Sequence, residues 1–174
     1  MTPDRSCGIF TVGHGNRSLA VFQSLLTDAA IEVVVDVRRY PASKRNPQFN
    51  EKVLRNSLSA QTIEYIVKGD ALGGHRTESG DNTQTALDCA SLRAYAEHTA
   101  SPEFRQTIDW LTDTAVTKRV AVMCAEHKPA HCHRAVVSDF LCCQGFNVVH
   151  LVEPTFNFPH ARHANARFEG GTLR

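Results

Sequence analysis

The sequence predicts a single α/β domain, built on a mainly parallel sheet of about five strands with helices on both faces. Three observations predict it. Continuous β-branched apolar runs alternate along the chain with segments whose apolar residues recur at helical spacing. Those runs are apolar on both parities, as strands covered on both faces must be. The first, second and fourth runs also end in polar clusters, the place where a doubly wound sheet holds its ligands.

The chain has 174 residues, 42% hydrophobic and 21% charged, enough for one domain with a real core. Residues 1–158 are assigned to that domain and residues 159–174 to a C-terminal tail without periodicity. No stretch of about eighteen apolar residues suggests a membrane span. Met1 to Phe10 has no signal-peptide core, so a cytoplasmic location is expected and the six cysteines are read as free thiols, metal ligands or catalytic groups. A net charge of +1 does not announce a nucleic-acid binder.

Taken in order, residues 8–12 form a first strand, followed by a glycine-bearing turn and Ser18 as helix cap. Leu19, Phe22, Leu25, Leu26 and Ala29 follow at helical spacing. Residues 31–37 are a second buried strand ending at Asp36. Pro41 and Pro47 make the next stretch a loop, and a helix over residues 51–60 follows with Asn50 as its cap. Residues 63–67 are a third strand and residues 68–88 a long loop. Helices are predicted over residues 92–98 and 102–114, the second opened by Ser101, Pro102 and Glu103. The fourth strand covers residues 119–123, and Cys124 and Glu126 sit at its carboxyl end. A helix then opens at His133 and Arg134, where unpaired N–H groups favour an anion. It runs to Gly145 as the terminating glycine, and residues 147–152 are the last strand.

Several ordered motifs carry a resemblance. Thr11-Val-Gly-His-Gly-Asn-Arg-Ser18, Asp36-Val-Arg-Arg-Tyr-Pro41 with Asn46-Pro-Gln-Phe-Asn50, Leu72-Gly-Gly-His-Arg76, Tyr95-Ala96, and Met123-Cys-Ala-Glu126 with Cys132-His-Arg134 are similar to the family catalogued as domain of unknown function 488. The resemblance spans residues 10–152. It implies an α/β fold and a clustered polar site without naming a reaction. Family members often have Ser where Gly15 stands.

Chemistry is read from the residues. The loop Arg38, Arg39, Tyr40, Lys44, Arg45 and Phe49 interleaves cations with aromatics, a pattern suited to phosphates and bases. With Asn16, Arg17, Gly73, Gly74, Cys132, His133 and Arg134 it makes up the predicted substrate-binding set. The predicted catalytic set is Asp36, Glu126 and His14, with Cys124 as a candidate nucleophile. Two carboxylates and a histidine suit hydrolysis of a glycosidic or phosphate bond. The expected function is therefore a hydrolase acting on a nucleotide or nucleic acid, a DNA-repair glycosylase in its most concrete form, the long loop helping to hold a flipped base. The alternatives are a cysteine-dependent redox or transfer enzyme using Cys124 and Cys132, and an anion sensor without turnover. No cofactor is expected. A zinc on Cys124, Cys132 and His133 is the lesser possibility, because the seven residues between the cysteines match no standard finger.

Overall fold

The computed structural model describes residues 8–74, 90–164, 166–169 and 172–173. Its strands are β1 (Ile9–Gly13), β2 (Val33–Asp36), β3 (Glu64–Val67), β4 (Val120–Cys124), β5 (Val148–Glu153) and β6 (Phe156–Pro159), with a two-residue hairpin β7 (Phe168–Glu169) and β8 (Thr172–Leu173). The helices are α1 (Leu19–Asp28), α2 (Glu51–Ser59), α3 (Gly69–Leu72), α4 (Ala90–His98), α5 (Pro102–Thr117) and α6 (Arg134–Cys143). No helix among the described residues is long and apolar enough to cross a membrane.

The main sheet has the order β3-β2-β4-β1-β5-β6. Its first five strands are parallel and β6 returns antiparallel to β5. This sixth strand is the correction to the predicted count of about five. It is an exposed edge strand bounded by Pro154 and Pro159, so it carries no core-facing apolar pattern, and proline is tolerated at a sheet edge.

Strand parity sorts the core into two layers. Ile9, Val33, Val35, Val120, Val122 and Val148 face one side, where Phe104, Ile108 and Leu111 of α5 and Val136, Val137 and Phe140 of α6 cover them. Phe10, Val12, Val34, Ala121, Met123 and Leu151 face the other, against Phe22, Leu25 and Leu26 of α1 and Leu54 and Leu58 of α2. Adjacent strands β1 and β4 thus send their chains to helices on opposite faces. A crevice opens at their carboxyl ends, as it does wherever a doubly wound sheet diverges.

Local signals work where the predicted donor is satisfied. Ser18 accepts from Val21 N at 3.2 Å and Ser101 from Phe104 N at 3.2 Å. Gly145 lies at φ 86°, beyond the reach of most L residues. Asn50 stands at the start of α2 without capping it, because its Oδ1 accepts instead from Ser43 N at 2.6 Å and closes the basic loop. The stretch read as a loop from residue 68 begins with α3, and residues 75–88 of that prediction, like Cys7 and Cys89, lie outside the described residues. From the tail, His160 bonds to Asp139 of α6 and Ala166 is buried in the α5/α6 layer.

Candidate functional site

The floor of the crevice is built from the end of β4 and the start of α6. Cys124 ends the strand, a 3-10 turn (Pro129–His131) redirects the chain, and Cys132, His133 and Arg134 return beneath the strand end. That return passes very close to β1. A Cβ on Gly13 would stand 1.8 Å from the Glu126 carbonyl oxygen and 2.8 Å from Arg134 Nη2, so this glycine serves chain packing rather than approach to a phosphate. Gly15 follows with φ 53°.

Two sulfurs and an imidazole converge there. His133 Nδ1 is 3.9 Å from Cys124 Sγ and 3.7 Å from Cys132 Sγ. Arg134 donates to Cys132 Sγ twice, from its backbone N at 3.5 Å and from Nε at 3.4 Å. Its Nη1 donates to Thr11 Oγ1 at 3.2 Å and its Nη2 to the Glu126 carbonyl oxygen at 2.5 Å. Arg134 is only 1% exposed and pairs with no carboxylate among the described residues. A buried guanidinium needs an anion, and its one ionisable acceptor among those residues is the Cys132 sulfur. The neighbouring Cys124 thiol is the largest influence holding the Cys132 thiol well below the ordinary range; burial opposes it, and His133 and Arg134 reinforce it. Cys132, with burial, pushes Cys124 well above that range. Arg134 donates to Cys132 and not to Cys124, which favours a negative charge on Cys132.

The ligand atoms of Cys124, Cys132 and His133 all lie within 4.8 Å of one another, a grouping able to hold one metal ion. Charge counting weighs against it. A divalent ion, two thiolates and Arg134 would leave one net positive charge buried, whereas one thiolate and Arg134 are neutral.

The predicted carboxylates are placed differently. Asp36 is fully buried and enclosed. Its oxygens accept from Arg38 N at 3.0 Å, Arg38 Nε at 3.0 Å, Arg38 Nη2 at 2.6 Å and the Tyr65 hydroxyl, so it has no face toward the crevice and fixes Arg38. Burial, and then the Asp36 charge, push Tyr65 well above its usual range, so the phenol stays a donor. Glu126 has an exposed side chain, and what it gives to the floor is its carbonyl oxygen. His14 stacks on Phe49 with ring centroids 4.4 Å apart, and its Nδ1 lies 2.7 Å from the Gly15 carbonyl oxygen. Burial lowers His14 from 6.5 to about 4, so the ring is neutral, donates from Nδ1, and accepts at Nε2 from Arg38 Nη1 at 3.4 Å. It is placed to orient Arg38 rather than to donate a proton to a leaving group. Phe49 is buried under it and offers no face for stacking a base.

Arg17 is likewise a strut. It donates to the carbonyl oxygens of Gly13 at 2.6 Å and of Val152, and lies 3.8 Å from Glu153, tying the ends of β1 and β5 together. The residues left for a substrate line a crevice of about 950 Å³ above the cysteines, a volume suited to a small-molecule site. Its walls include Asn16, Arg38, Arg39, Tyr40, Arg45 and Gly74, and Glu126 is the one acid among its described lining residues. Arg38 Nη1 has a hydrogen not used by His14, Arg45 has no ion-pair partner among the described residues, and Tyr40 is 73% exposed on the rim. Gly73 packs against Arg39, and a Cβ on Gly74 would come within 2.9 Å of His133 Nδ1, so the Gly-Gly step lets the chain pass over the imidazole.

Several participants were not singled out from sequence. Tyr65 closes the Asp36 shell, and Tyr95, named in the sequence as part of a motif without a role, sets its ring 4.9 Å from His133 while donating to Leu72 O at 2.7 Å. Thr11 and His150 are polar residues inside otherwise apolar strands, and that interruption was the available signal.

A family model described as "Domain of unknown function DUF488" matches residues 18–141. No curated protein and no solved structure matches the chain.

Proposed function

The chain belongs to the family described as "Domain of unknown function DUF488", and from that premise we propose that it is a cysteine-dependent hydrolase of a phosphate-bearing, ring-containing substrate of nucleotide type. The observation that carries this reading is the buried Arg134 guanidinium, whose one ionisable acceptor among the described residues is Cys132 on the floor of an arginine-walled crevice. A thiolate is the nucleophilic form of cysteine, and this one has a neutral thiol beside it.

Cys132 Sγ attacks the electrophilic atom of the substrate, either phosphorus or the sugar carbon that carries the base, and forms a thiophosphoryl or thioglycosidic bond. The bond to the leaving group breaks, and the leaving group takes the Cys124 proton. Water then displaces the sulfur, its hydroxyl going to the transferred group and its proton returning to Cys124. Arg38, Arg39 and Arg45 hold phosphate oxygens, Tyr40 offers a face to the ring, and Asp36 and His14 act by positioning Arg38.

The test is a screen of free nucleotides and modified-base oligonucleotides for released phosphate or base. Turnover is expected to vanish in Cys132→Ser, to fall in Arg38→Met, and to survive in Glu126→Gln. Turnover retained in Cys132→Ser and lost in Glu126→Gln overturns the reading in favour of a carboxylate hydrolase. Tight binding of a nucleotide without turnover would make the crevice a sensor.

A further inference from the structure

A second polar assembly lies between the sheet and α6, on the side of Arg134 away from the crevice. Thr11 of β1 and His150 of β5 are register partners in adjacent parallel strands. Their side chains meet at 2.7 Å, Thr11 Oγ1 to His150 Nδ1. His150 Nε2 lies 2.9 Å from His160 Nδ1, and His160 Nε2 lies 2.8 Å from Asp139 Oδ1. Asp139 belongs to α6, five residues beyond Arg134, and the same Oδ1 also accepts from His163 N at 2.8 Å. The line thus starts and finishes on one helix.

Hydrogen-bond chemistry gives it a direction. The carboxylate oxygen accepts, so His160 donates from Nε2. A neutral His160 then accepts at Nδ1 from His150 Nε2–H, which leaves His150 Nδ1 to accept from the Thr11 hydroxyl. The Thr11 oxygen in turn accepts from Arg134 Nη1. With His160 neutral, every donor points from Arg134 toward Asp139. Burial is the largest influence holding His150 down at about 4, which keeps its ring neutral as this arrangement requires.

We propose that Thr11, His150, His160 and Asp139 are positioning residues that hold the Arg134 guanidinium against Cys132 from behind. The proposal rests on the thiolate reading of Cys132 and adds residues that never touch the substrate. The line is not a proton path, because the guanidinium at its head does not give up a proton. It supplies an acceptor that fixes Nη1, so that Nε remains aimed at sulfur when Cys132 is alkylated or bound to a substrate group. Polar groups buried in a connected network stay ordered only while each member is satisfied, so a break at either end loosens the arginine.

The groups facing Cys132 are Cys124 from β4, His133 from the turn before α6, Arg134 from α6, and His150 from β5. The test reads the pH midpoint for iodoacetamide alkylation of Cys132 in the full chain, followed on its own peptide by mass spectrometry. Thr11→Val and Asp139→Asn are expected to raise that midpoint by about one pH unit, the size of one hydrogen bond to a charged group. Thr11→Ser, which restores the hydroxyl, should return it to the starting value. Leu141→Ala, a core change on the same helix outside the line, should lower the melting temperature and leave the midpoint where it was. Folded Thr11→Val and His160→Gln proteins that alkylate with the original midpoint overturn the proposal. A midpoint in the ordinary thiol range in the unsubstituted chain would instead overturn the thiolate reading on which it rests.

Discussion

Replacing Arg134 by Met removes the buried cation that faces Cys132 while keeping an unbranched apolar stem. The guanidinium Nε stands 3.4 Å from the sulfur. A hydrogen bond to a charged group contributes about 1.5–3 kcal/mol, which converts to a rise of about one to two pH units in the thiol midpoint. The full Coulomb interaction of unit charges near 4 Å, about 4 kcal/mol in a protein-like dielectric, sets the upper bound at about three. Cys124 and His133 remain, so a rise between these limits is expected. The fold should survive, because the Cys132 thiol takes up a proton when its counter-ion leaves and a neutral pair replaces an ionic one. The Glu126 carbonyl loses its donor, costing about 1–3 kcal/mol, which a urea titration reads as a lower midpoint concentration. The assay is the pH profile of alkylation at Cys132. A folded Arg134→Met protein with an unchanged profile would refute the argument that this arginine holds the charge on sulfur.

Further outcomes follow from the same contacts. His14 and His150 are both lowered from 6.5 to about 4, burial being the first cause for each. Below 6.5 the unfolded chain takes up protons that the folded chain refuses, so stability present above that pH should be lost as pH falls toward 4, by up to about 3 kcal/mol per histidine, measured by urea unfolding across that window. His14→Phe should remove part of the slope. Asp36→Asn strips a buried guanidinium of its carboxylate and should destabilise the fold by about 3–5 kcal/mol, whereas joint replacement of Asp36 by Asn and Arg38 by Met should recover much of that loss. Dialysis against a chelator should leave the Cys132 alkylation profile unchanged; a profile that shifts and is restored by zinc would favour a metal on the two cysteines and His133.

Much of the fold is legible in the sequence because buried parallel strands are apolar on both parities and so announce themselves without a partner. β1, β2, β4 and β5 all do this. β6 does not, since an edge strand with mostly exposed residues lacks that pattern. The location of the site was legible for a similar reason, as His14, Asp36, Arg38 and Cys124 interrupt or end apolar runs. Their roles were not. Whether Asp36 meets a substrate depends on Tyr65 and on the folding back of Arg38, contacts that no spacing encodes. The proton assignment between Cys124 and Cys132 depends on which face of the helix start Arg134 presents, and its register cannot be read from Cys-His-Arg alone. The pairing of Thr11 with His150 appears only once β1 and β5 are neighbours, a fact of strand order.

The most direct measurement compares the alkylation of Cys132 and Cys124 in the unsubstituted chain across the pH range from mildly acidic to alkaline. Cys132 is expected to react below the ordinary thiol range, with Cys124 reacting only above it. Reaction of both cysteines together in the ordinary thiol range, or of Cys124 first, would contradict the assignment of the charge to Cys132.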